Sequence, residues 1–108
     1  DLTYVAAANV VRYTGATPVL VDVDPETWTL DPARAAECLG PRTRAILAVH
    51  VYGNPADLDR LRQLARTAKV ALVEDAAEAF GATWRGRPVG SLGAAGCSSF
   101  SANKAVTT

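Results

Sequence analysis

RAILAVHVYGNPADLDRLRQLARTAKVALVED, residues 44–75, sets two apolar runs on either side of an amphipathic stretch. The first run, RAILAVHV (44–51), is almost continuous in apolar residues and carries the isoleucine and valines of a buried strand. Asn54-Pro55 then opens the clearest helix of the chain, with Leu58, Leu61, Leu64 and Ala65 on one face. Asp57 and Asp59 stand in its first turn, and Arg60, Arg62, Arg66 and Lys69 crowd the later ones, as the helix macrodipole favours. VALVED (70–75) is again strand-like. Strand, helix, strand is the repeating unit of a parallel sheet covered by helices.

The same rhythm extends outward. Upstream, YVAAANVVRYT (4–14) reads as a helix closed by Gly15, and TPVLVDV (17–23) as a short buried strand. Asp31-Pro32 supplies an N-cap and a first-turn proline for PARAAECL (32–39), which Gly40 ends. Downstream, TWRGRPVG (83–90) turns at Gly86 as a small hairpin, and GCSSF (96–100) reads as a fourth strand leading into SANKAVTT. The order predicts an α/β fold, a three-layer α/β/α arrangement around a mostly parallel sheet. Function in such sheets gathers past the carboxyl ends of the strands. The residues there are Asp22 and Asp24, His50, Glu74 and Asp75, then Ser98 and Ser99.

Composition bounds the rest. A chain of 108 residues, 49% hydrophobic, suffices for one small domain. Eleven basic and eleven acidic residues cancel, so no net field recruits nucleic acid or an anionic membrane. No apolar run approaches the roughly 18 residues of a membrane span, and no leader is recognisable. Cys38 and Cys97 suit neither a disulfide scaffold nor a metal clip, and read as buried free thiols in a reducing cytoplasm. The chain has no methionine, which reads as a piece of a longer protein.

Glu74 and Asp75 pose the chemical question. A greasy strand that ends in two carboxylates needs donors or cations for them. Either the acids cap an exposed strand end, or Asp75 answers a cation that is not protein. Adjacent strand residues point to opposite faces, which argues against a shared glycosidase-type role and leaves Glu74 as structural. GSLGAAG (90–96) has a glycine at every third position but lacks the strand-to-helix context and the Lys-Ser/Thr of a nucleotide loop. One histidine and no paired cysteines exclude a zinc site, and neither Ser91 nor Ser99 lies in G-x-S-x-G. An acid at a strand end with Ser99 and Lys104 downstream remains, a combination that pyridoxal phosphate needs.

At this point the residues carry a resemblance. LTYVAAANVVRYTGATPVLVDVDPETWTLDP, RAILAVHVYGNPADLD, VEDAAEAFGATWRGRPVGSLG and SFSANKAVTT together resemble the DegT/DnrJ/EryC1/StrS family along essentially the whole chain. The resemblance implies a pyridoxal 5′-phosphate-dependent aminotransferase of fold type I. Residues 1–108 would be part of its large domain, with the upstream phosphate loop and the C-terminal small domain elsewhere. It further implies roles residue by residue. Lys104, in the pattern S-F-x-x-x-K-x-x-T-T, matches the Schiff-base lysine, where related dehydratases carry histidine. Asp75 matches the partner of the pyridine nitrogen, Ser99 the phosphate-binding serine, and Tyr4 an aromatic stacked on the ring. Glu78 falls where the family often has a glutamine near the ring's 3′-oxygen. His50 matches a recurrent V-H-x-Y-G run and reads equally as a site residue or a hydrogen-bonded structural one.

The implied reaction passes an amino group, usually from glutamate, to a nucleotide-linked keto-deoxy sugar in a cytoplasmic homodimer. The ending SANKAVTT is similar to perosamine-synthase-like members that act at C4. A C3 sugar aminotransferase, a cyclitol aminotransferase and an inactive fragment stand as alternatives.

Overall fold

The computed structural model describes residues 2–104. Thr107 and Thr108 of the lysine pattern lie outside the described residues. Strand β1 (Ala45–Val49) pairs in parallel with β2 (Ala71–Asp75), Ala45 opposite Ala71 and Val49 opposite Asp75. The helix between them, named α3 in chain order after α1 (Val5–Tyr13) and α2 (Pro32–Cys38), spans Leu58–Ala68. A two-stranded hairpin follows, β3 (Thr83–Trp84) with β4 (Arg87–Pro88). Strand β5 (Ala95–Cys97) then returns to pair in parallel with β2, giving the sheet order β1-β2-β5. The α/β class and the parallel sheet are as the sequence predicts.

Alternation along the strands decides what is buried. Ile46, Ala48, Leu72 and Glu74 face one side and are buried, while Leu47, Val49, Val73 and Asp75 face the other and are half-buried. The buried face packs on Leu58, Leu61 and Ala65 of α3, with Ala35 of α2 and Leu92 closing the cluster. Burying a leucine of this kind contributes about 1.5–3 kcal/mol.

Helix α3 starts three residues later than Asn54-Pro55 suggests. Asn54 is drawn elsewhere, its Nδ2 donating to the Thr27 carbonyl at 2.7 Å, and Val51–Gly53 form a single 3-10 turn. The amide of buried Ala56 goes to His50, so Asp57 becomes the cap, its carboxylate accepting from the Arg60 amide at 3.1 Å. The helix ends at Lys69, which is left-handed at φ 56° and donates to the Ala65 and Arg66 carbonyls.

Three expectations are corrected. Residues 17–23 form no strand among the described residues: only Val23 makes an antiparallel bridge, to Leu30. Val19 and Leu20 are exposed, because no described strand lies alongside to complete a ladder. Asp24 instead folds the chain back, accepting from the Glu26 and Thr27 amides. The fourth strand is Ala95–Cys97 and not 96–100. Both cysteines are exposed and not buried: Cys38 ends a seven-residue helix, and Cys97 stands on β5, all of whose side chains are exposed. The hairpin is as expected, its two-residue turn formed by Arg85 (φ 49°) and Gly86 (φ 76°).

Candidate active site

The end of β2 divides its two acids between two environments. Glu74 is fully buried and meets four donors. Its Oε2 accepts from His50 Nε2 at 3.0 Å and from the Gly90 amide at 2.8 Å. Its Oε1 accepts from the amides of Leu92, at 2.6 Å, and Gly93. His50 is itself fully buried, and its Nδ1 accepts the Ala56 amide proton at 3.0 Å. That assigns the ring proton to Nε2 and leaves the imidazole neutral. Burial alone pushes the Glu74 carboxyl up, but the bonds from Gly90, Gly93, His50 and Leu92 outweigh it and hold the group below its ordinary value.

The glycine-rich run is therefore a carboxylate cradle filled from within. Gly90 is left-handed at φ +83°. A Cβ on Gly93 would lie 2.5 Å from the Leu72 carbonyl oxygen, and the chain needs glycine there to lie flat on β2. Sequence reasoning missed this assembly. The available signal was a buried acid in want of donors together with one glycine-rich, amide-rich run downstream. His50, open between two readings in the sequence, is the hydrogen-bonded residue of the pair.

Asp75 points to the opposite face. Its Oδ1 accepts from the Ala77 amide at 3.0 Å and lies 3.7 Å from Cys97 Sγ, while Oδ2 has no hydrogen bond among the described residues. Cys97 sits opposite Asp75 in the β2–β5 register. Desolvation of the thiol, then the charge of Asp75 and its hydrogen bond, push Cys97 above its ordinary value.

Beyond the strand ends lies a pocket of about 310 Å³ lined by Tyr52, Ala77, Glu78, Phe80, Asn103 and Lys104. Glu78 is anchored in it, Oε2 accepting the Tyr52 amide at 2.9 Å and Oε1 standing 3.9 Å from Lys104 Nζ. Tyr52 presents that amide from a left-handed backbone, φ 52°. Such a conformation costs a non-glycine residue about 1 kcal/mol and is held only where the surroundings impose it. Phe80 and Phe100 meet edge to face nearby, centroids 5.7 Å apart. The structure thus brings Glu78 and Lys104 together. Half-buried Ser99, its Oγ 3.4 Å from Ser101 Oγ, and Asp75 flank the pocket in sequence without lining it. Tyr4, at the N-terminus of α1, is 74% exposed and is not among the lining residues.

The donor set fits pyridoxal phosphate. A lysine amine stands in the pocket wall, a carboxylate oxygen with no partner among the described residues lies at the neighbouring strand end, and the volume lies at the low end of the ~300–1,000 Å³ usual for small-molecule sites. No group of three or more potential metal ligands occurs among the described residues. No helix among them is long and apolar enough to cross a membrane.

A parallel α/β sheet with these groups past its strand ends defines the class, the fold-type-I pyridoxal-phosphate enzymes. The pattern of the DegT/DnrJ/EryC1/StrS aminotransferase family matches residues 1–108, and the chain belongs to that family. It is 52% identical over 108 residues to a GDP-perosamine synthase of Caulobacter vibrioides, covering all of this chain and 29% of that protein. It is 51% identical over 106 residues to an L-glutamine:scyllo-inosose aminotransferase of Streptomyces griseus, covering 98% of this chain and 25% of that one. The structure of an aminotransferase from Psychrobacter cryohalolentis superposes with a TM-score of 0.95 at 41% identity, over 97% of this chain and 27% of that one. The chain thus spans under a third of the length of each of these relatives.

Proposed function

We propose that these residues are the cofactor-binding part of the large domain of an aminotransferase. The protein containing them moves an amino group from an amino acid, glutamate in our reading, to C4 of a nucleotide-linked keto-deoxy sugar. The observation that carries the reading is the Lys104 amine held 3.9 Å from Glu78 in a pocket past the strand ends that present Asp75. Similarity to a GDP-perosamine synthase over all 108 residues supports the substrate class.

When bound, pyridoxal phosphate supplies an aldehyde for amine chemistry and a protonated ring that withdraws electrons from the bond being broken. The chain's own residues do the rest. Lys104 Nζ would be the group that holds the cofactor at that aldehyde and, when its amine is free, would take a proton from the substrate carbon and return it, as base and then acid. Asp75 Oδ2 would hold a proton on the ring nitrogen, and Ser99 Oγ would donate to the phosphate. Tyr4 would offer an aromatic face, and Glu78 would stand near the ring's 3′-oxygen with the Tyr52 amide fixing it. An upstream phosphate loop, a small domain and a second copy of the chain would complete each site, so residues 1–108 alone would bind the cofactor weakly or not at all.

A cyclitol substrate is the second reading, favoured by the 51% identity to a scyllo-inosose aminotransferase. The test is an absorbance spectrum of the full-length protein with pyridoxal phosphate, before and after L-glutamate or L-glutamine. A visible band that converts on adding donor, and is absent in Lys104→Ala, is the expected result. No band in the intact protein overturns the proposal. A panel of 4-keto and 3-keto nucleotide sugars and scyllo-inosose then separates the substrate readings.

A further inference from the structure

Among the strands of the described sheet, β5 is the least secured by side chains. Its three residues, Ala95, Gly96 and Cys97, are all exposed, and β2 is its one partner there. In a strand so small and glycine-containing, no buried side-chain pattern specifies register. Yet register matters, because β5 sets Cys97 against Asp75 and leads directly to Ser99 and Lys104.

What secures it lies just upstream. The Gly90, Leu92 and Gly93 amides converge on the Glu74 carboxylate, and the Ala94 amide continues onto the Leu72 carbonyl at 2.7 Å. Gly96 packs against this loop so closely that a Cβ there would lie 1.9 Å from the Gly90 carbonyl oxygen. The other side of the same carboxylate takes His50, whose second nitrogen receives Ala56 ahead of α3. One fully buried side chain therefore joins β1, β2, the 90–93 loop and the entry to α3.

We infer that Glu74, supported by His50, is a positioning residue for the cofactor site. It pins the 90–93 loop so that β5 enters in the one register that carries Ser99 and Lys104 to the Asp75 end of β2. It touches no reacting atom and acts through the backbone. The inference rests on the proposed roles of Asp75, Ser99 and Lys104.

The test compares Glu74→Gln with Leu61→Ala in the full-length protein. The second is a core-cavity variant that destabilises the same unit without touching the network. Two readouts are taken: amide hydrogen exchange over residues 90–97 in the cofactor-free protein, and the Kd for pyridoxal phosphate by absorbance titration. Glu74→Gln puts an amide where two donors already point. It is expected to speed exchange selectively over 90–97 and to weaken binding about 10- to 100-fold, in keeping with the cost of ångström-scale misplacement. Leu61→Ala is expected to lower Tm while leaving Kd within about two-fold, since it creates a cavity and no register change.

If Glu74→Gln does not fold, His50 carries the test. His50→Leu is expected to weaken binding about five-fold, and His50→Gln, which can both donate to Glu74 and accept from Ala56, to restore it. Equal effects of Glu74→Gln and Leu61→Ala on Kd at equal loss of Tm overturn the inference, as does unchanged exchange over 90–97. Wild-type protein that binds no pyridoxal phosphate overturns the cofactor reading and the positioning role with it. The exchange data then still report whether the clamp exists.

Discussion

Glu74 and Asp75 leave β2 in opposite directions, and their surroundings differ as much as their orientation. Glu74 is sealed in, with four protein donors filling its two oxygens. Asp75 is half-buried and commits one oxygen to Ala77 and Cys97, while the other has no partner among the described residues. A carboxylate whose bonds are complete inside the protein serves the fold. One left incomplete at a strand end is available to a ligand. The difference between them is one of satisfied hydrogen-bonding capacity, since both are carboxyl side chains at the end of the same strand.

That contrast breaks most sharply under truncation. Glu74→Ala leaves four donors without their acceptor, those of His50 and Leu92 buried and those of Gly90 and Gly93 partly so, and is expected to cost about 3–5 kcal/mol in urea unfolding of the full-length protein. Asp75→Ala is expected to cost about 1 kcal/mol by the same measurement, yet to abolish pyridoxal-phosphate binding. The reverse pattern would mean that the roles of the two acids are exchanged.

Acid separates them next. The folded Glu74 carboxyl titrates below its unfolded value, so its stabilisation is complete above the unfolded pKa of about 4.3 and is lost as pH falls through the lower folded value. Wild-type stability should therefore fall through that acid window. Glu74→Gln should lack this part of the limb, as unfolding midpoints measured from pH 3 to 6 will show.

The smallest effect sharpens the Asp75 side. Its charge, after desolvation, raises the Cys97 thiol, so Asp75→Asn should increase thiolate and speed alkylation of Cys97 by iodoacetamide a few-fold at pH 8. Peptide mass spectrometry reads the rate at Cys97 directly. An unchanged rate would show that desolvation alone sets the thiol.

The parts legible in the sequence are those governed by local periodicity. The runs at 44–51 and 70–75 and the leucine face of α3 predict a parallel strand-helix-strand unit, because burial repeats every two or every 3.6 residues. The valine-rich run at 17–23 has the same local look but no described neighbour, and a strand is a property of a pair. Asn54 and Asp57 both have a capping side chain. The choice between them fell to Thr27 and His50, one of them 27 residues away from Asn54.

The candidate site divides the same way. Lys104, Ser99 and Asp75 stand out as candidates because a family pattern binds residue type to spacing, whatever the surroundings. Their sequence also determined that Glu74 and Asp75 must face apart, since a strand alternates. Tertiary structure alone decided which acid the protein would answer for itself. The donors that satisfy Glu74 come from 16 to 24 residues away, just past the end of another strand and in a glycine loop, and no local pattern encodes that convergence. Hydrogen-bond satisfaction of a buried charge is settled only when distant segments meet. It is there that one acid became part of the fold, while its neighbour kept an oxygen that no described residue fills.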